Sequence, residues 1–284
     1  MRLSKNVSTF IGCAADFEDA KIVLIGAPFD STTSYRPGTR FASSAIRKES
    51  FGIEIYSPYL DKELDTSAVC DAGDLELPFG NPSRALDVIE EAASEILSAD
   101  KLPFLIGGEH LVTLGIFRAV FNKYPDVHIV HFDAHTDLRD DYMGEKLSHA
   151  TVIRRCHDLV GDHKIFQFGI RSGEKAEFEF AKAHLIQEKF TADTIAEAIA
   201  QLKGKPVYLT VDLDVLDPSQ LPGTGTPEAG GLNFETLRSA LMKVAGLNIV
   251  GLDVNELNPM LDPTGASTAL ACKLVRELLI ALQK

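Results

Sequence analysis

A chain of 284 residues, 45% of them hydrophobic, can bury most of the surface that its unfolded form exposes. α/β folds of this length commonly form one domain, so residues 1–284 are read as a single domain. The formal net charge of −13 argues against nucleic acid and for cationic ligands. No apolar run is long enough to span a bilayer and no leader pattern precedes the first strand, which together point to a cytoplasmic protein. Cys13, Cys70, Cys156 and Cys272 lack Cys-x-x-Cys spacing in a chain too large to need staples, and are read as free thiols.

In chain order, short apolar or β-branched runs alternate with longer helical patterns, which predicts a mainly parallel sheet covered on both faces, a three-layer α/β/α fold. The first strand is Ile22 to Gly26. A helix over Pro82 to Ser98 follows Asn81-Pro82, with Ala85, Val88, Ile89, Ala92, Ala93 and Ile96 at helical spacing. The strand Leu102 to Ile106 runs into Gly107-Gly108-Glu109-His110 and a helical pattern over Leu111 to Phe121. The glycines permit a tight turn there, so His110 can point into the space above the sheet. Further strands are His128 to Phe132, Ile165 to Gly169, Val207 to Val211 and Ile249 to Leu252. The remaining helices are Ala192 to Leu202, Phe234 to Val244 and Ser267 to Leu282. No repeat, low-complexity tract or linker interrupts this order.

Two segments carry the chemistry. Asp133-Ala-His135-Thr-Asp137 follows the His128 strand, and Asp212-Leu-Asp214-Val-Leu-Asp217-Pro218 follows the Val207 strand. If each strand continues, alternate residues leave the same face about 6.6 Å apart, a spacing suited to two metals rather than one. A lone Asp-x-Asp after a strand is more often a turn or helix cap. Here five ionisable groups at two buried strand ends would each cost several kcal/mol in desolvation, and no Lys or Arg is interleaved with them. A metal cluster answers that cost, with His110 as a sixth ligand. Four carboxylates and two imidazoles without thiolates suit Mn²⁺ better than Zn²⁺, and four aspartates balance two dications. Both clusters and His110 fall at carboxyl ends of strands, where open α/β sheets hold their ligands.

Gly107-Gly-Glu-His110, Asp133-Ala-His-Thr-Asp137, Thr210-Val-Asp-Leu-Asp-Val-Leu-Asp-Pro218 and Asp253-Val-Asn-Glu256-Leu-Asn-Pro259 together resemble the signature blocks of the ureohydrolases, the arginase and agmatinase family. Arg36-Pro-Gly-Thr-Arg40, Gly169-Ile-Arg171-Ser-Gly173 and the Gly/Pro-rich run from Pro222 to Gly231 extend the likeness over most of the chain. The resemblance implies the arginase-like fold and two Mn²⁺ per subunit. His110, Asp133, Asp137 and Asp212 would hold one ion, and His135, Asp133, Asp212 and Asp214 the other, with Asp133 and Asp212 bridging. A water shared by both ions would supply hydroxide at neutral pH. The resemblance further implies that Glu256 pairs with a guanidinium and that His149 shuttles a proton to the leaving amine, with Asp137 a second relay. Asp217 is read as shaping its turn or supporting the ligands. The run from Leu221 to Leu232 is read either as a rigid connection or as a pocket wall. His128, His131, His157, His163 and His184 are read as core, supporting or surface histidines.

Selectivity is expected to lie in the segment from Leu138 to Ser148. Arginases place Asn and Ser there to receive a substrate carboxylate, whereas this chain has Arg139, Asp140, Asp141 and Glu145. An acidic loop repels a carboxylate and accepts an ammonium. With Asp140 and Asp141 as substrate contacts, that preference fits agmatine, and the Leu138-Arg-Asp-Asp-Tyr142 and Leu147-Ser-His149 pattern resembles the agmatinases, which implies hydrolysis to putrescine and urea in polyamine synthesis. Arg139 dissents, since it could itself hold a carboxylate. The alternatives are a sibling acting on guanidinobutyrate, arginine or formiminoglutamate, and less so a fold-related deacetylase with a single zinc. The resemblance also implies a homo-oligomer, trimer or hexamer.

Overall fold

The apolar runs assemble into one eight-stranded sheet in a computed structural model that describes residues 8–283. The elements, in chain order, are β1 (Ile22–Gly26), α1 (Ala42–Glu49), β2 (Tyr56–Ser57), β3 (Lys62–Glu63), β4 (Val69–Asp74), α2 (Pro82–Ser98), β5 (Leu102–Ile106), α3 (Thr113–Lys123) and β6 (His128–Phe132). There follow α4 (Val152–Val160), β7 (Ile165–Ile170), α5 (Lys175–His184), β8 (Ile186–Lys189), α6 (Ile195–Leu202), β9 (Pro206–Asp212), α7 (Phe234–Ala245), β10 (Asn248–Asn255) and α8 (Ala266–Leu282). The sheet runs β4-β1-β5-β10-β9-β6-β7-β8, and every neighbouring pair is parallel. β2 and β3 form a separate antiparallel pair.

Alternation along the strands decides the layers. Leu24, Phe104, Val130, Leu209 and Leu252 face a core built with α1, α6, α7 and α8. Val23, Leu105, Ile129, Tyr208 and Val250 face the opposite core, with α2, α3 and α4. With both faces covered, β1, β6 and β7 are buried end to end and β5, β9 and β10 are buried beyond their first residues, as the continuous apolar runs require. Helix α2 starts where the sequence places it, because Asn81 Oδ1 accepts the Arg84 N–H at 3.0 Å and Pro82 fills the first turn.

The departures from expectation have local causes. β4 and β8 are the sheet edges and their sequences, Val-Cys-Asp-Ala-Gly-Asp and Ile-Gln-Glu-Lys, carry no apolar run. Arg47 of α1 makes β4 possible by pairing with Asp71 at 2.8 Å and with Asp74. The short helices α1, α4 and α5 are additional to the four helices and the Leu111 pattern read from sequence. α6 begins three residues after Ala192, because the Glu188 carboxylate draws the Asp193 and Thr194 N–H groups into a turn at 2.7 and 3.0 Å. β10 continues beyond Leu252 through Asp253 and Asn255, which become tolerable inside a sheet because other side chains satisfy them, as described below. The first seven residues, part of the stretch read as free of a leader, and Lys284 lie outside the described residues. Among the described residues no helix is long and apolar enough to cross a membrane.

Candidate metal centre

The four central strands, in spatial order β5, β10, β9 and β6, end at one edge of the sheet, and each delivers a group to the same place. β5 leads through Gly107 and Gly108 to His110, which opens a 3-10 turn ahead of α3. These glycines do not serve a positive φ. A Cβ on Gly107 would collide with the Asn255 side chain and one on Gly108 with the Phe29 carbonyl, so close backbone approach is what excludes a side chain.

The six residues read as ligands come together, though not by continued strands. β6 ends at Phe132, and Asp133 to Asp137 curl over the sheet edge. Asp133 Oδ1 accepts the His135 N–H at 2.6 Å, and Asp137 has φ +52°. Asp212 closes β9 and caps a 3-10 turn by accepting the Asp214 N–H at 2.8 Å. The alternate-strand spacing is therefore replaced by a tighter convergence. His110 Nδ1 lies 3.1, 3.0 and 3.5 Å from carboxylate oxygens of Asp133, Asp137 and Asp212. His135 Nδ1 lies 2.9 Å from Asp214 and 3.5 Å from Asp133.

The electrostatics are those of a site short of positive charge. Burial, then the neighbouring charges of Asp214 and Asp133, pushes the Asp212 carboxyl well above its ordinary range. Burial and Asp133 push Asp137 up to about 7. Burial also acts on Asp133, but the adjoining His110 and His131 rings outweigh it and hold that carboxyl well below the usual range. Burial opposes charging His110, yet the adjoining carboxylates of Asp133 and Asp137 more than offset it and raise the ring. His135 is raised likewise by Asp214 and Asp133 against burial.

Supporting groups fix the orientation. Tyr208, Thr210 at 2.6 Å and Asn255 at 2.5 Å all donate to the Asp253 carboxylate. Having given its proton to Asp253, the Thr210 hydroxyl can only accept from His110 Nε2–H, 2.9 Å away. In the neutral ring that leaves His110 Nδ1 as a lone pair, wholly buried, close to three carboxylates and hydrogen-bonded to none. A buried imidazole lone pair aimed into oxygen donors is what a bound cation requires and what a cation-free core avoids. The residues present thus fit a divalent metal pair in number, charge and donor type. His131 is engaged at both nitrogens, with Asp133 at 2.8 Å and the Gln167 amide at 3.0 Å, so it supports Asp133. The sequence reading left His131 among the core, supporting or surface histidines and gave Thr210 no role of its own, although each stands two residues before an aspartate of the cluster.

Above the cluster opens a cavity of about 250 Å³, lined by His110, His135, Asp137, Asp212, Asp214, Glu256, His149, Arg139, Tyr142, Glu174 and Thr226 among others. Glu256 follows β10 in a left-handed backbone conformation, φ +65°, which costs on the order of 1 kcal/mol and persists where the surroundings enforce it. Its Oε1 accepts the His110 N–H at 2.8 Å, and burial pushes its carboxyl well above the ordinary range. His149 also lines the cavity, with Nε2 3.3 Å from Ser34 Oγ and Nδ1 3.4 Å from Thr32 Oγ1. Burial, followed by the charge of His135, lowers its pKa to about 4.

The segment from Leu138 to Ser148 departs from the sequence reading. Asp140 and Asp141 do not line the cavity: Asp140 pairs with Arg155 of α4 at 2.9 Å, and Asp141 accepts the Gly144 N–H at 3.1 Å. The acids on that wall are Glu174 and Glu177, which lie 2.6 and 3.7 Å from Arg139, while the Arg139 guanidinium lies 4.9 Å from the Tyr142 ring centroid. Of the two readings of the Gly/Pro-rich run, both hold in part. Thr226 reaches the cavity 3.4 Å from Asp214. The run is pinned by Arg171, which donates to the carbonyls of Asp214, Val215 and Glu228 at 2.7, 3.1 and 2.9 Å. Asp217 shapes this turn, accepting N–H groups of Ser219, Gly230 and Gly231 at 3.0, 2.8 and 3.1 Å. All four cysteines are free and buried.

A wholly parallel eight-stranded sheet flanked by helices, with carboxylates and imidazoles gathered at its central strand ends, makes this a three-layer α/β/α protein of the arginase-like fold. The sequence model of the arginase family matches residues 20–281, and the chain belongs to that family. It is a ureohydrolase, an enzyme that hydrolyses a C–N bond, and within the family it is most like the agmatinases. It is 49% identical over 279 residues to the agmatinase of Bacillus cereus, covering 97% of this chain and 96% of that one. The crystal structure of the agmatine ureohydrolase of Thermoplasma volcanium superposes with a TM-score of 0.90 at 34% identity, covering 98% of this chain and 95% of that one. The guanidinobutyrase of Pseudomonas aeruginosa is 35% identical over 281 residues, 94% of this chain and 88% of that one.

Proposed function

We propose that this enzyme hydrolyses agmatine to putrescine and urea at a two-Mn²⁺ centre, as a step of polyamine synthesis. The observation that carries the reading is the buried Glu256 carboxylate facing the cavity beside the six-group cluster. An acid so placed is suited to receive a cation. His110, Asp133, Asp137 and Asp212 would hold one ion, and His135, Asp133, Asp212 and Asp214 the other. When bound, the metal pair supplies the Lewis acidity that makes a water nucleophilic at neutral pH.

The residues of the chain do the rest. The His110 N–H occupies Glu256 Oε1 and leaves Oε2 for the planar guanidinium, which is thereby held against the metal cluster for attack at its carbon. Attack by water breaks the bond from that carbon to the substituted nitrogen, giving urea, and the departing amine takes up a proton. Thr32 Oγ1 gives its proton to Glu109 at 2.6 Å, so it can only accept from His149 Nδ1. The other nitrogen, Nε2, is left to carry a proton to the amine. With its pKa lowered to about 4, His149 is neutral near pH 7 and releases a proton readily once it holds one. Asp137 is a second proton carrier at the cluster.

Selection of agmatine over carboxylated guanidines rests on the wall of the cavity. Arg139 is the side chain there that could hold a carboxylate, and Glu174 already neutralises it. A guanidino acid such as guanidinobutyrate is the second reading, favoured by Arg139 if Glu174 releases it. A single-zinc deacetylase is disfavoured because the donors cluster around both His110 and His135. The proposal includes a cytoplasmic homo-oligomer, trimer or hexamer, as the family likeness implies. Urea release by Mn²⁺-loaded protein from agmatine, arginine and guanidinobutyrate, with formamide release from formiminoglutamate, tests it. Turnover of arginine with none of agmatine would overturn it, and metal content near one per subunit would restore the zinc alternative.

A further inference from the structure

Three of the eight histidines of the chain, His157, His163 and His184, lie at the corner where α4 and α5 end, away from the cavity. His157 Nε2 and His184 Nδ1 each lie 2.8 Å from the same oxygen of Asp162, and the three donor atoms are within 4.8 Å of one another. We propose that His157, Asp162 and His184 form a surface site for a divalent transition metal of the zinc class, distinct from the metal centre at the strand ends. The inference does not depend on the substrate assigned above.

The site is pre-organised by contacts that have no part in the cavity. The Gly161 N–H donates to the His157 carbonyl at 2.8 Å and the His163 N–H to the His184 carbonyl at 2.7 Å, so Asp162 is tied by its neighbours to the ends of both helices. The Phe180 ring packs against both imidazoles, with centroids 4.9 Å from His157 and 4.3 Å from His184, which limits their rotation. The only ion-pair partners of Asp162 among the described residues are these two histidines. Tetrahedral zinc with bonds of about 2.0–2.1 Å to nitrogen and oxygen sets its donors about 3.3 Å apart. Asp162 and His184, 51% and 36% exposed, have the freedom to open by that much, and water completes the fourth position. Two imidazoles and one carboxylate favour Zn²⁺ and its later first-row neighbours over Mn²⁺.

Two terms oppose binding. When His157 Nε2 takes a metal, its ring proton moves to Nδ1, which is buried and has no partner. Arg154 lies 3.8 Å from the Phe180 ring centroid, although its pairing with Asp158 at 3.8 Å already answers part of its charge. The structural effect of the metal would be to clip the end of α4 to the end of α5, which the sequence joins only through β7.

The test compares Mn²⁺-loaded wild type with His184→Ala and Asp162→Asn after dialysis against one zinc-buffered solution, reading metals per chain by mass spectrometry. Zinc that replaces manganese at the strand-end centre does so in all three proteins, so the difference reports the surface site. The expected result is one zinc more per chain in the wild type than in either variant, and an anomalous peak at the zinc edge between the three side chains in crystals of the dialysed wild type. Equal zinc in all three proteins, or no such peak, overturns the proposal. Unchanged Mn²⁺-supported turnover in both variants confirms that they are folded, because neither residue lines the cavity.

Discussion

Glu256→Gln isolates the charge that the proposed reaction uses. The glutamine keeps an oxygen for the His110 N–H, the one hydrogen bond that the Glu256 side chain makes among the described residues, so the position of His110 is preserved. What disappears is the negative charge opposite the guanidinium, in a residue only 7% exposed. Removing one partner of a buried, hydrogen-bonded charge pair costs about 3–4 kcal/mol, and each 1.36 kcal/mol is about tenfold in rate. The expected loss in kcat/KM for agmatine is roughly two to three orders of magnitude. Stability should move the other way or not at all. Burial raises the Glu256 carboxyl in the folded protein, so ionising it at neutral pH works against the fold, and glutamine removes that penalty. The assay is urea release at several agmatine concentrations, with Tm and metal content measured on the same preparation. A variant within about threefold of wild type would refute the pairing, and activity lost together with both metals would show that Glu256 serves the cluster instead.

Asp133→Ala and Asp212→Ala should each abolish turnover and deplete both ions, measured by elemental analysis, and full activity in either contradicts the bridging assignment. His149→Ala should slow turnover with metal content nearly intact, and loss of metal would move His149 into the cluster. Thr210→Val leaves His110 Nε2–H without a buried partner and takes one of three donors from Asp253. It should cost about 1–3 kcal/mol of stability and weaken Mn²⁺ binding roughly 10- to 100-fold, read by thermal unfolding and by metal titration. For the metal-free protein, Asp137 and Glu109 have carboxyls raised to about 7 by burial. Each keeps its proton in the folded state between about pH 4 and 7 while the unfolded chain has lost it, so stability falls as pH rises through that window. His110 and His135, raised by their carboxylate neighbours, add stability below their ordinary pKa that is lost as pH rises further, in the same direction. Thermal unfolding of metal-free protein should therefore weaken from pH 5 to pH 8, and a rise over that range would contradict these signs.

The parts of this protein legible from sequence were those where one local rule decides. β1, β5 and β6 were bounded correctly because buried parallel strands are uninterrupted apolar runs, and α2 because Asn81 and Pro82 mark its start. The six clustered groups were legible because short motifs follow such runs. The backbone path that joins them was not, since alternation along a strand says nothing of a turn in which Asp133 accepts from the His135 N–H. The edge strands β4 and β8 escaped because tertiary partners, such as Arg47 on Asp71, replace apolar character. Asp140 and Asp141 misled because charge in a sequence has no direction. Arg155, sixteen positions beyond Arg139 and unremarked in the reading, determines where Asp140 points, and the wall acids Glu174 and Glu177 come from another segment altogether.

That division of origin has an evolutionary consequence. The clustered aspartates and imidazoles sit within a few residues of the ends of the four innermost strands, whereas Arg139 and Tyr142 lie farther along the β6–α4 connection and Glu174 on the β7–α5 connection. Under the proposed reaction, drift in those outer stretches would exchange one guanidine for another while the clustered groups stay fixed, which makes diversification of clientele easier for this scaffold than invention of a new reaction.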